Sequence, residues 1–466
     1  MLDTVLIWID KNRGGWLEDL KPWLRLASVS ADPAHQADLT AAADWAMHYM
    51  RAAGLEPEWI PTARHPCILA RTPGNRHKPD APHILFYGHY DVQPADPLDK
   101  WITPPFEPTI RDGKIFARGA SDDKGQVFCH LAALMAWKQI AGELPVRMTV
   151  LLEGEEEIGS MSLEPVITQY ADELKTARAL IVSDSNQLAP GVPTLTTGFR
   201  GMVYYQVEVA GAAEDLHSGV YGGAVANPAN ALVGMLGALH DVHGRVTIPG
   251  FYDEVVMPEA SILQQWRRLP FDEAELIRRL GVSELFGEKG FSTLERRWCR
   301  PTLDINGLTS GYQGPGAKTV LPGAASAKVS MRLVPHQDPL RIAAAFETYL
   351  GSLKPAGVRL KLQRLNASPA VLTPTDSPAV AAAAEALEIG FGQKPVFTRE
   401  GGTVPVVSSF KKLLDVDSVL IGFGLPDDNL HAPNEKFDLA SLYGGMRTAA
   451  ALYDRLGRIL SNGRGG

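Results

Sequence analysis

The chain has 466 residues, of which 45% are hydrophobic and 21% are charged, and its formal net charge is −8 at pH 7. This length predicts two domains, each large enough to bury a core of its own. The charges are spread along the chain without a basic block, so we expect no nucleic-acid partner and no anionic membrane surface as a partner.

Three widely spaced cysteines, Cys67, Cys129 and Cys299, predict packing roles in a reducing compartment rather than a disulfide framework. The apolar run VLIWI near the N-terminus is too short for a secretory signal. No apolar stretch reaches the roughly 18 residues that a membrane span needs. The sequence therefore predicts a cytoplasmic protein.

The first part of the chain alternates between helical and strand-like patterns. Residues 1–55 favour helices, and a further helix is predicted at 122–142. Buried strands are predicted at 83–92, 147–157 and 179–185, each ending in polar residues. Strands that alternate with helices predict an α/β sheet, in which functional side chains collect at the carboxyl ends of the strands.

The pattern changes near residue 199, where strands that alternate apolar and polar residues begin. Strands are predicted at 202–211, 325–335 and 358–365, and helices at 227–243 and 341–353. The α/β pattern then resumes with a helix at 377–391, a strand at 418–424 and a helix at 437–457. We therefore expect an α/β domain made of residues 1–198 and 368–466, interrupted by an inserted α+β domain at 199–367.

Two short acidic motifs follow the first predicted strand. In GHYDVQP, His89 is a candidate metal ligand and Asp91 can orient it, although a lone His-x-Asp pair is more often structural. In ARGASDDKGQ, Asp122 and Asp123 stand at the start of a predicted helix. They can act there as a helix cap, and they can also bridge two cations.

The run LLEGEEEIGS places four glutamates within five residues, directly after a buried strand. Such carboxylates repel one another unless cations neutralise them. Asp184 stands at another strand end, and His431 stands in the polar segment NLHAPNE. Two histidines and three carboxylates suit two divalent ions that share a bridging carboxylate, and a neighbouring glutamate can act as a base. The predicted ligands are His89, Asp122, Glu157, Asp184 and His431, with Glu156 as the base.

Seven motifs in this order, GHYDVQP, ARGASDDKG, EGEEEIGS, SDS, LHSG, REGGT and LHAPNE, resemble those of the M20 family of metallopeptidases. The resemblance extends from about Leu20 to Leu456 and is strongest for the carnosinase-like and bacterial dipeptidase branch. It implies a two-domain α/β fold with a mixed central sheet in the catalytic domain, and an inserted lid or dimerisation domain.

The resemblance also implies a role for each matching residue. His89 and Asp184 would complete one metal site and Glu157 and His431 the other, with Asp122 bridging the two ions, which would be Zn²⁺ or Mn²⁺. Glu156 would be the general base, and Asp91 would hold His89. Family members often have a cis peptide bond where Asp122 and Asp123 stand here.

Residues of the inserted domain would contact the substrate in the same way. His217 would reach the active site of the partner subunit in a homodimer and stabilise the oxyanion. Arg332 would bind the substrate carboxylate. Further substrate contacts are expected from Asn230, Lys318, Thr319, Glu400, Gly401, Gly402 and Thr403; the family often has Ser where Thr403 stands.

The sequence thus predicts a dinuclear metal-dependent hydrolase that cleaves the amide bond of dipeptides or short peptides with a free C-terminal carboxylate. Water activated by the metals would be the nucleophile. An N-acyl amino acid deacylase of the acetylornithine or succinyl-diaminopimelate type is the alternative, because its motifs overlap heavily. A non-catalytic scaffold is a third alternative, which predicts loss of a ligand or of the base, whereas every expected position is filled.

Overall fold

A computed structural model describes residues 1–78, 80–402 and 405–461, apart from the side chain of Pro405. The described chain forms two compact units. Unit 1 contains residues 1–197, 373–398 and 405–461, and unit 2 contains residues 198–372 and 399–402. Within these residues, no helix combines the length and the apolar character needed to cross a membrane.

The N-terminal part of unit 1 alternates helices with strands. Its helices are α1 (Leu2–Lys11), α2 (Arg13–Leu24), α3 (Gln36–Ala52), α4 (Lys124–Ala141), α5 (Leu163–Gln169) and α6 (Ala171–Leu174). Its strands are β1 (Glu56–Ile60), β2 (Cys67–Arg71), β3 (His83–His89), β4 (Thr109–Arg111), β5 (Lys114–Phe116), β6 (Arg147–Glu153), β7 (Ala179–Val182) and β8 (Thr194–Phe199), the last of which runs on into unit 2.

Unit 2 and the second part of unit 1 complete the secondary structure. Unit 2 holds β9 (Gly201–Ala210), β10 (Leu216–His217), α7 (Ser218–Tyr221), α8 (Pro228–Gly237), α9 (Ala260–Arg267), α10 (Glu273–Leu280), α11 (Thr293–Trp298), β11 (Thr302–Ser310), β12 (Val320–Leu321), β13 (Ala324–Leu333), α12 (Pro339–Leu353), β14 (Arg359–Ser368) and β15 (Val371–Leu372). There follow α13 (Pro378–Phe391), β16 (Val396–Glu400), α14 (Pro405–Leu414), β17 (Ser418–Gly422), β18 (Lys436–Asp438) and α15 (Leu439–Ser461).

The large sheet has the strand order β1-β2-β6-β3-β7-β17-β8-β15, and β16 also pairs with β8. The central strands β6, β3, β7 and β17 are parallel, whereas the outer pairs β1/β2, β2/β6 and β17/β8 are antiparallel. All seven residues of β3 are buried, as expected for a parallel strand covered on both faces. The predicted α/β class with a mixed central sheet is confirmed.

Helix α4 lies in the core of unit 1 and is buried along most of its length. Its sequence is apolar on nearly every side, which is typical of a helix enclosed by its neighbours. The indole Nε1 of Trp137 donates a hydrogen bond to the carbonyl of Ala450 in α15, at 3.0 Å. The helix ends at Ala141 and is capped by Gly142, whose φ of +75° suits a glycine at a helix C-terminus. This packing holds α4 in the core, and the acidic motif Asp122–Asp123 lies at its N-terminus.

Unit 2 contains a four-stranded antiparallel sheet with the order β11-β13-β9-β14. Buried and half-exposed residues alternate along β9, and the buried face forms a core with α8 and α12. Helix α8 ends at Gly237, earlier than the 227–243 that the sequence predicts. The reason is a turn in which the Asp241 carboxylate accepts hydrogen bonds from the N–H groups of His243 and Arg245, an alternative to helical bonding that Asp offers readily.

Candidate metal centre

Three candidate residues lie at or just beyond the carboxyl ends of neighbouring parallel strands. His89 is the last residue of β3, and it pairs in register with Glu153 at the end of β6. The segment that follows β6 carries Glu157, and Asp184 lies two residues beyond the end of β7. Because β3 runs parallel to both strands, the three side chains emerge at the same edge of the sheet.

Asp122 reaches this edge from the loop that precedes α4, and the peptide bond between Asp122 and Asp123 is cis. The loop is held by the buried carboxylate of Glu435, which accepts hydrogen bonds from the N–H groups of Ser121 at 2.9 Å and Asp122 at 3.1 Å. Arg118 forms a buried ion pair with Glu435 at 2.8 Å. The position of Asp122 is therefore fixed by a residue only four positions after His431.

The five candidate ligands form two groups that share Asp122. In the first group, Nε2 of His89 lies 3.3 Å from Oδ1 of Asp122 and 3.9 Å from Oδ2 of Asp184. In the second group, Nε2 of His431 lies 3.0 Å from Oδ2 of Asp122 and 3.3 Å from Oε2 of Glu157. Each group offers three ligand atoms within 4.8 Å of one another. One carboxylate thus presents an oxygen to each group, which is the arrangement of a bridged dinuclear centre.

Asp91 connects the histidine side of the cluster to the glutamate side. Nδ1 of His89 lies 3.1 Å from the carbonyl oxygen of Asp91 and 3.4 Å from its Oδ1. The Asp91 carboxylate also accepts hydrogen bonds from the N–H groups of Glu156 at 3.3 Å and Glu157 at 3.1 Å. Asp91 therefore orients the imidazole of His89 so that Nε2 faces the carboxylates, and it holds the 3₁₀ turn that carries both glutamates.

The four clustered glutamates point in different directions. Glu153 accepts hydrogen bonds from the hydroxyls of Tyr87 and Ser160. Glu155 is buried and accepts hydrogen bonds from the N–H of His65 at 2.9 Å and from the hydroxyl of Ser162 at 2.8 Å. Both stabilise the fold around the loop. Glu157 belongs to the second ligand group, and Glu156 remains beside it as the candidate base.

The electrostatics of the cluster favour bound cations. Burial, together with the nearby Asp122 carboxylate, raises the pKa of Asp184 to about 7 and that of Glu157 to about 8. Burial by itself would raise the pKa of Asp122, but the neighbouring imidazoles of His431 and His89 lower it overall. Crowded buried carboxylates are costly to ionise, and a divalent cation removes that cost.

A second observation supports metal binding by these residues. Among the described residues, Nε2 of His89 is a buried nitrogen without a hydrogen-bond partner, although it points at Asp122 and Asp184. A buried imidazole nitrogen with no partner is unfavourable in a finished core, but it is what a metal ligand requires. The donor set of imidazole and carboxylate groups also fits zinc or manganese.

Two supporting residues were not predicted from the sequence. Gln93 donates a hydrogen bond from its side-chain amide to Oε2 of Glu157, at 2.8 Å, and Glu435 holds the Asp122 loop. Each lies within a motif that the sequence analysis selected, GHYDVQP and LHAPNE. A polar residue a few positions from a ligand within the same motif is the signal that could have indicated them.

Unit 2 contains the residues predicted to contact the substrate. His217 is exposed at the end of β10, opposite Val320 of β12, and its Nδ1 accepts a hydrogen bond from the N–H of Gly219 at 3.0 Å. Thr319 lies next to this pair, and its carbonyl accepts a hydrogen bond from the N–H of Ser218. Lys318 and Thr319 are exposed, and so is Asn230 in the first turn of α8.

Arg332 and the REGG turn are also in unit 2. Arg332 is half-buried on β13. Burial raises the pKa of Glu400, and the N–H of Gly401 donates a hydrogen bond to the Glu400 carboxylate. Gly402 is exposed. Thr403 lies outside the described residues.

The chain is similar to known peptidases in sequence and in structure. The model of a family described as Peptidase family M20/M25/M40 matches residues 85–455. The chain is 30% identical to a human Beta-Ala-His dipeptidase, covering 98% of this chain and 93% of that protein. It is 34% identical to the Cys-Gly metallodipeptidase DUG1 of Saccharomyces cerevisiae, covering 85% and 84%. A solved M20 family metallo-carboxypeptidase, Sso-CP2 from Sulfolobus solfataricus, is 31% identical with a TM-score of 0.83, covering 95% and 99%.

Proposed function

The chain belongs to the M20/M25/M40 peptidase family and is a metallopeptidase, and from this premise we propose that it hydrolyses dipeptides and other short peptides with a free C-terminal carboxylate. The observation that carries the proposal is the pair of ligand groups that share Asp122. The names of the relatives add support, since the human and yeast proteins are both dipeptidases.

We propose that two divalent ions, Zn²⁺ or Mn²⁺, bind at this centre. His89 and Asp184 would hold one ion and Glu157 and His431 the other, with Asp122 contributing one oxygen to each. When bound, such ions supply Lewis-acid activation of water and of the scissile carbonyl.

Glu156 is the residue that we assign to proton transfer. It takes a proton from the attacking water and passes it to the leaving amine, as a general base and then a general acid. Burial raises the pKa of its carboxyl, and the neighbouring His89 opposes that effect. The hydrogen bond from its backbone N–H to Asp91 holds the turn that carries it, and its carboxylate belongs to neither ligand group.

We further propose that residues 199–367 act as an inserted lid and dimerisation domain of a homodimer, between catalytic parts at 1–198 and 368–466. His217 would stabilise the oxyanion of the partner subunit's substrate, a role that its exposure and its position on a short strand pair allow. Arg332 would bind the C-terminal carboxylate by a forked pair of hydrogen bonds. Weaker contacts would come from Asn230, Lys318, Thr319, Glu400, Gly401, Gly402 and Thr403.

A reducing compartment suits the chain, because its three cysteines are buried and unpaired. Each is a free thiol in a packed environment, as is usual for proteins kept under reducing conditions. We therefore propose a cytoplasmic location.

The test is a substrate panel with metal-stripped protein that is reloaded with Zn²⁺ or Mn²⁺. The panel contains dipeptides, the same dipeptides with a C-terminal amide, and N-acyl amino acids. Metal-dependent cleavage of the free-acid dipeptides, with the amides cleaved far more slowly, is the expected result. Cleavage of N-acyl amino acids alone would replace the proposal with a deacylase. If protein that binds two ions cleaves no substrate of the panel, both activities are excluded for these substrates.

A further inference from the structure

Unit 2 contains a cavity of about 260 Å³ whose walls carry four arginines, Arg200, Arg296, Arg297 and Arg300. We call it the arginine cavity. Two carboxylates, Glu288 and Asp304, also line it. Its volume lies just below the range of roughly 300–1,000 Å³ that is typical of ligand pockets. The cavity therefore suits a small ligand rather than a nucleotide or a folded partner.

The Glu288 carboxylate is already engaged by two arginines. Nε of Arg300 lies 2.7 Å from Oε2 of Glu288, and Nη2 lies 2.9 Å from Oε1. Arg245 adds a third hydrogen bond to Oε1 at 3.1 Å. The side chains of Arg300 and Glu288 are only 7% and 8% exposed. One carboxylate thus faces two guanidinium groups, which leaves a net positive charge at this part of the cavity. The buried Arg300–Glu288 pair forms a rigid part of the cavity wall.

Backbone carbonyl groups help to orient two other arginines of the cavity. Nε of Arg200 donates to the carbonyl of Gly401 at 2.8 Å, and its Nη1 donates to the carbonyl of Arg300 at 3.4 Å. Nε of Arg296 donates to the carbonyl of Glu288 at 2.9 Å. A carbonyl orients a guanidinium without cancelling its charge. These arginines are therefore positioned before any ligand arrives, which reduces the entropy lost on binding.

The charges around Arg200 change its pKa. Burial, together with the nearby Arg332 and Arg297, lowers the pKa of Arg200 to about 10, while Asp304 and Glu400 oppose this effect. Asp304 is exposed on β11, where water screens its charge. Burial raises the pKa of Glu400, so its ionised form is itself disfavoured. The cavity thus combines four lining arginines with two lining carboxylates, of which Glu288 is buried and Asp304 is exposed.

We propose that the arginine cavity is an oxyanion-binding site that takes a carboxylate or a phosphate group. An anion there would relieve the repulsion among the arginines and would accept charge-assisted hydrogen bonds from planar guanidinium groups, which match both anions in geometry. The anion can be the carboxylate of a peptide or amino acid, or free phosphate acting as an effector. This site is separate from the ligand groups of unit 1 and does not depend on the proposed peptidase activity.

The test measures anion binding to the full-length metal-loaded protein by calorimetry, at constant ionic strength. The probes are inorganic phosphate, N-acetylalanine and N-acetylalaninamide. Arg297→Gln is the test variant, because Arg297 is exposed and its loss leaves the Arg300–Glu288 pair intact. Arg279→Gln is the matched control, because it removes the same charge from an exposed position on α10 of the same unit.

We expect Arg297→Gln to weaken binding of at least one anion about tenfold, the usual effect of losing a charged hydrogen bond, and Arg279→Gln to leave it unchanged. An effect on phosphate alone identifies a phosphate site, and an effect on N-acetylalanine but not on its amide identifies a carboxylate site. Equal affinities of all three proteins for both anions would overturn the proposal. Any anion binding at the metal centre is common to all three proteins and does not affect their comparison. Calorimetry measures binding and not turnover, so the result does not depend on whether the protein has the proposed peptidase activity.

Discussion

The imidazole Nε2 of His431 lies 3.0 Å from Oδ2 of Asp122, although 309 residues separate them in the chain. The other oxygen of the same carboxylate lies 3.3 Å from Nε2 of His89. Asp122 is thus the only described residue that belongs to both candidate ligand groups. The consequences of removing it should differ from those of removing any other ligand.

Asp122→Ala should weaken both ion sites, whereas His431→Asn should weaken one. The reason is that Asp122 offers an oxygen to each group and His431 contributes to one. Metal content after gel filtration should fall from about two ions per chain to well below one for Asp122→Ala, and to about one for His431→Asn. His48→Asn, at an exposed histidine outside the cluster, is the control. Equal metal content in both ligand variants would contradict the bridging role.

Glu156→Gln and Glu157→Gln should separate the base from the ligand. The first variant should lose roughly 10²–10⁴-fold in kcat, the usual contribution of general acid–base catalysis, while it retains both ions. The second should lose an ion, because Glu157 lies 3.3 Å from His431 within the second group. Activity and metal content are measured on the same preparations. The reverse pattern would show that the two roles are exchanged.

Asp91→Asn should lower metal affinity without removing a ligand. The change weakens the contact with Nδ1 of His89 and the support of the turn that carries Glu156 and Glu157. Partners of metal-bound histidines typically contribute about 10–100-fold to metal affinity. Titration of stripped protein with Zn²⁺ should show this loss, with full activity restored at saturating metal. Unchanged affinity would assign Asp91 a purely structural role.

Glu435→Gln should destabilise the fold. It leaves Arg118 buried without its carboxylate partner and weakens the hydrogen bonds to the Asp122 loop. Breaking one side of a buried ion pair costs about 3–5 kcal/mol in free energy of unfolding. Urea unfolding of the metal-free protein measures this loss. The Arg118→Met/Glu435→Gln double variant should recover part of it, and a double variant less stable than the single one would refute the explanation.

His83 should make stability fall as the pH falls below about 6.5. Burial and the nearby Arg147 lower its pKa from 6.5 to about 4, and its ring nitrogens lie 2.7 Å and 2.9 Å from the hydroxyls of Thr176 and Thr149. Between these two pKa values the unfolded chain binds more protons than the folded one. The free energy of unfolding therefore rises with pH across this window and is fully gained above 6.5.

The lowered pKa of His83 corresponds to a change of at most roughly 3 kcal/mol in the free energy of unfolding across this pH window. His83→Gln should flatten the dependence between pH 4 and pH 6.5 in urea unfolding curves. His48→Gln, at an exposed histidine, should not. The same slope in all three proteins would exclude His83 as the source.

The sequence predicted those parts of the fold and site that are encoded locally. The apolar run 83–89 forms β3 because a buried parallel strand needs no distant information, and the acidic residues after β3 and β6 then gather at one edge. The role of Glu435 was not predicted, because its contacts to the Asp122 loop cross 313 residues of chain. The different directions of Glu153 and Glu155 depend on partners in other segments and were also beyond local patterns.

The sequence patterns also did not predict several short helices. Helices α9, α10, α11 and α14 have six to ten residues each, and such lengths are only marginally helical without tertiary packing. The early end of α8 has a similar cause, since the Asp241 turn replaces helical hydrogen bonds by side-chain bonds.

The division of the ligands along the chain has a consequence for biosynthesis. His89, Asp122 and Asp184, which form one ligand group, emerge from the ribosome early, whereas His431 follows 247 residues after Asp184 (431 minus 184). At a translation rate of roughly 5–20 residues per second, this delay is about 12–50 s. During that interval the nascent chain carries every residue of the first group, but Asp122 still lacks both His431 and the Glu435 that holds its loop. Neither ligand group can therefore reach its final geometry before residues 431–435 have been made, and the complete centre forms only after this late segment joins the early ones.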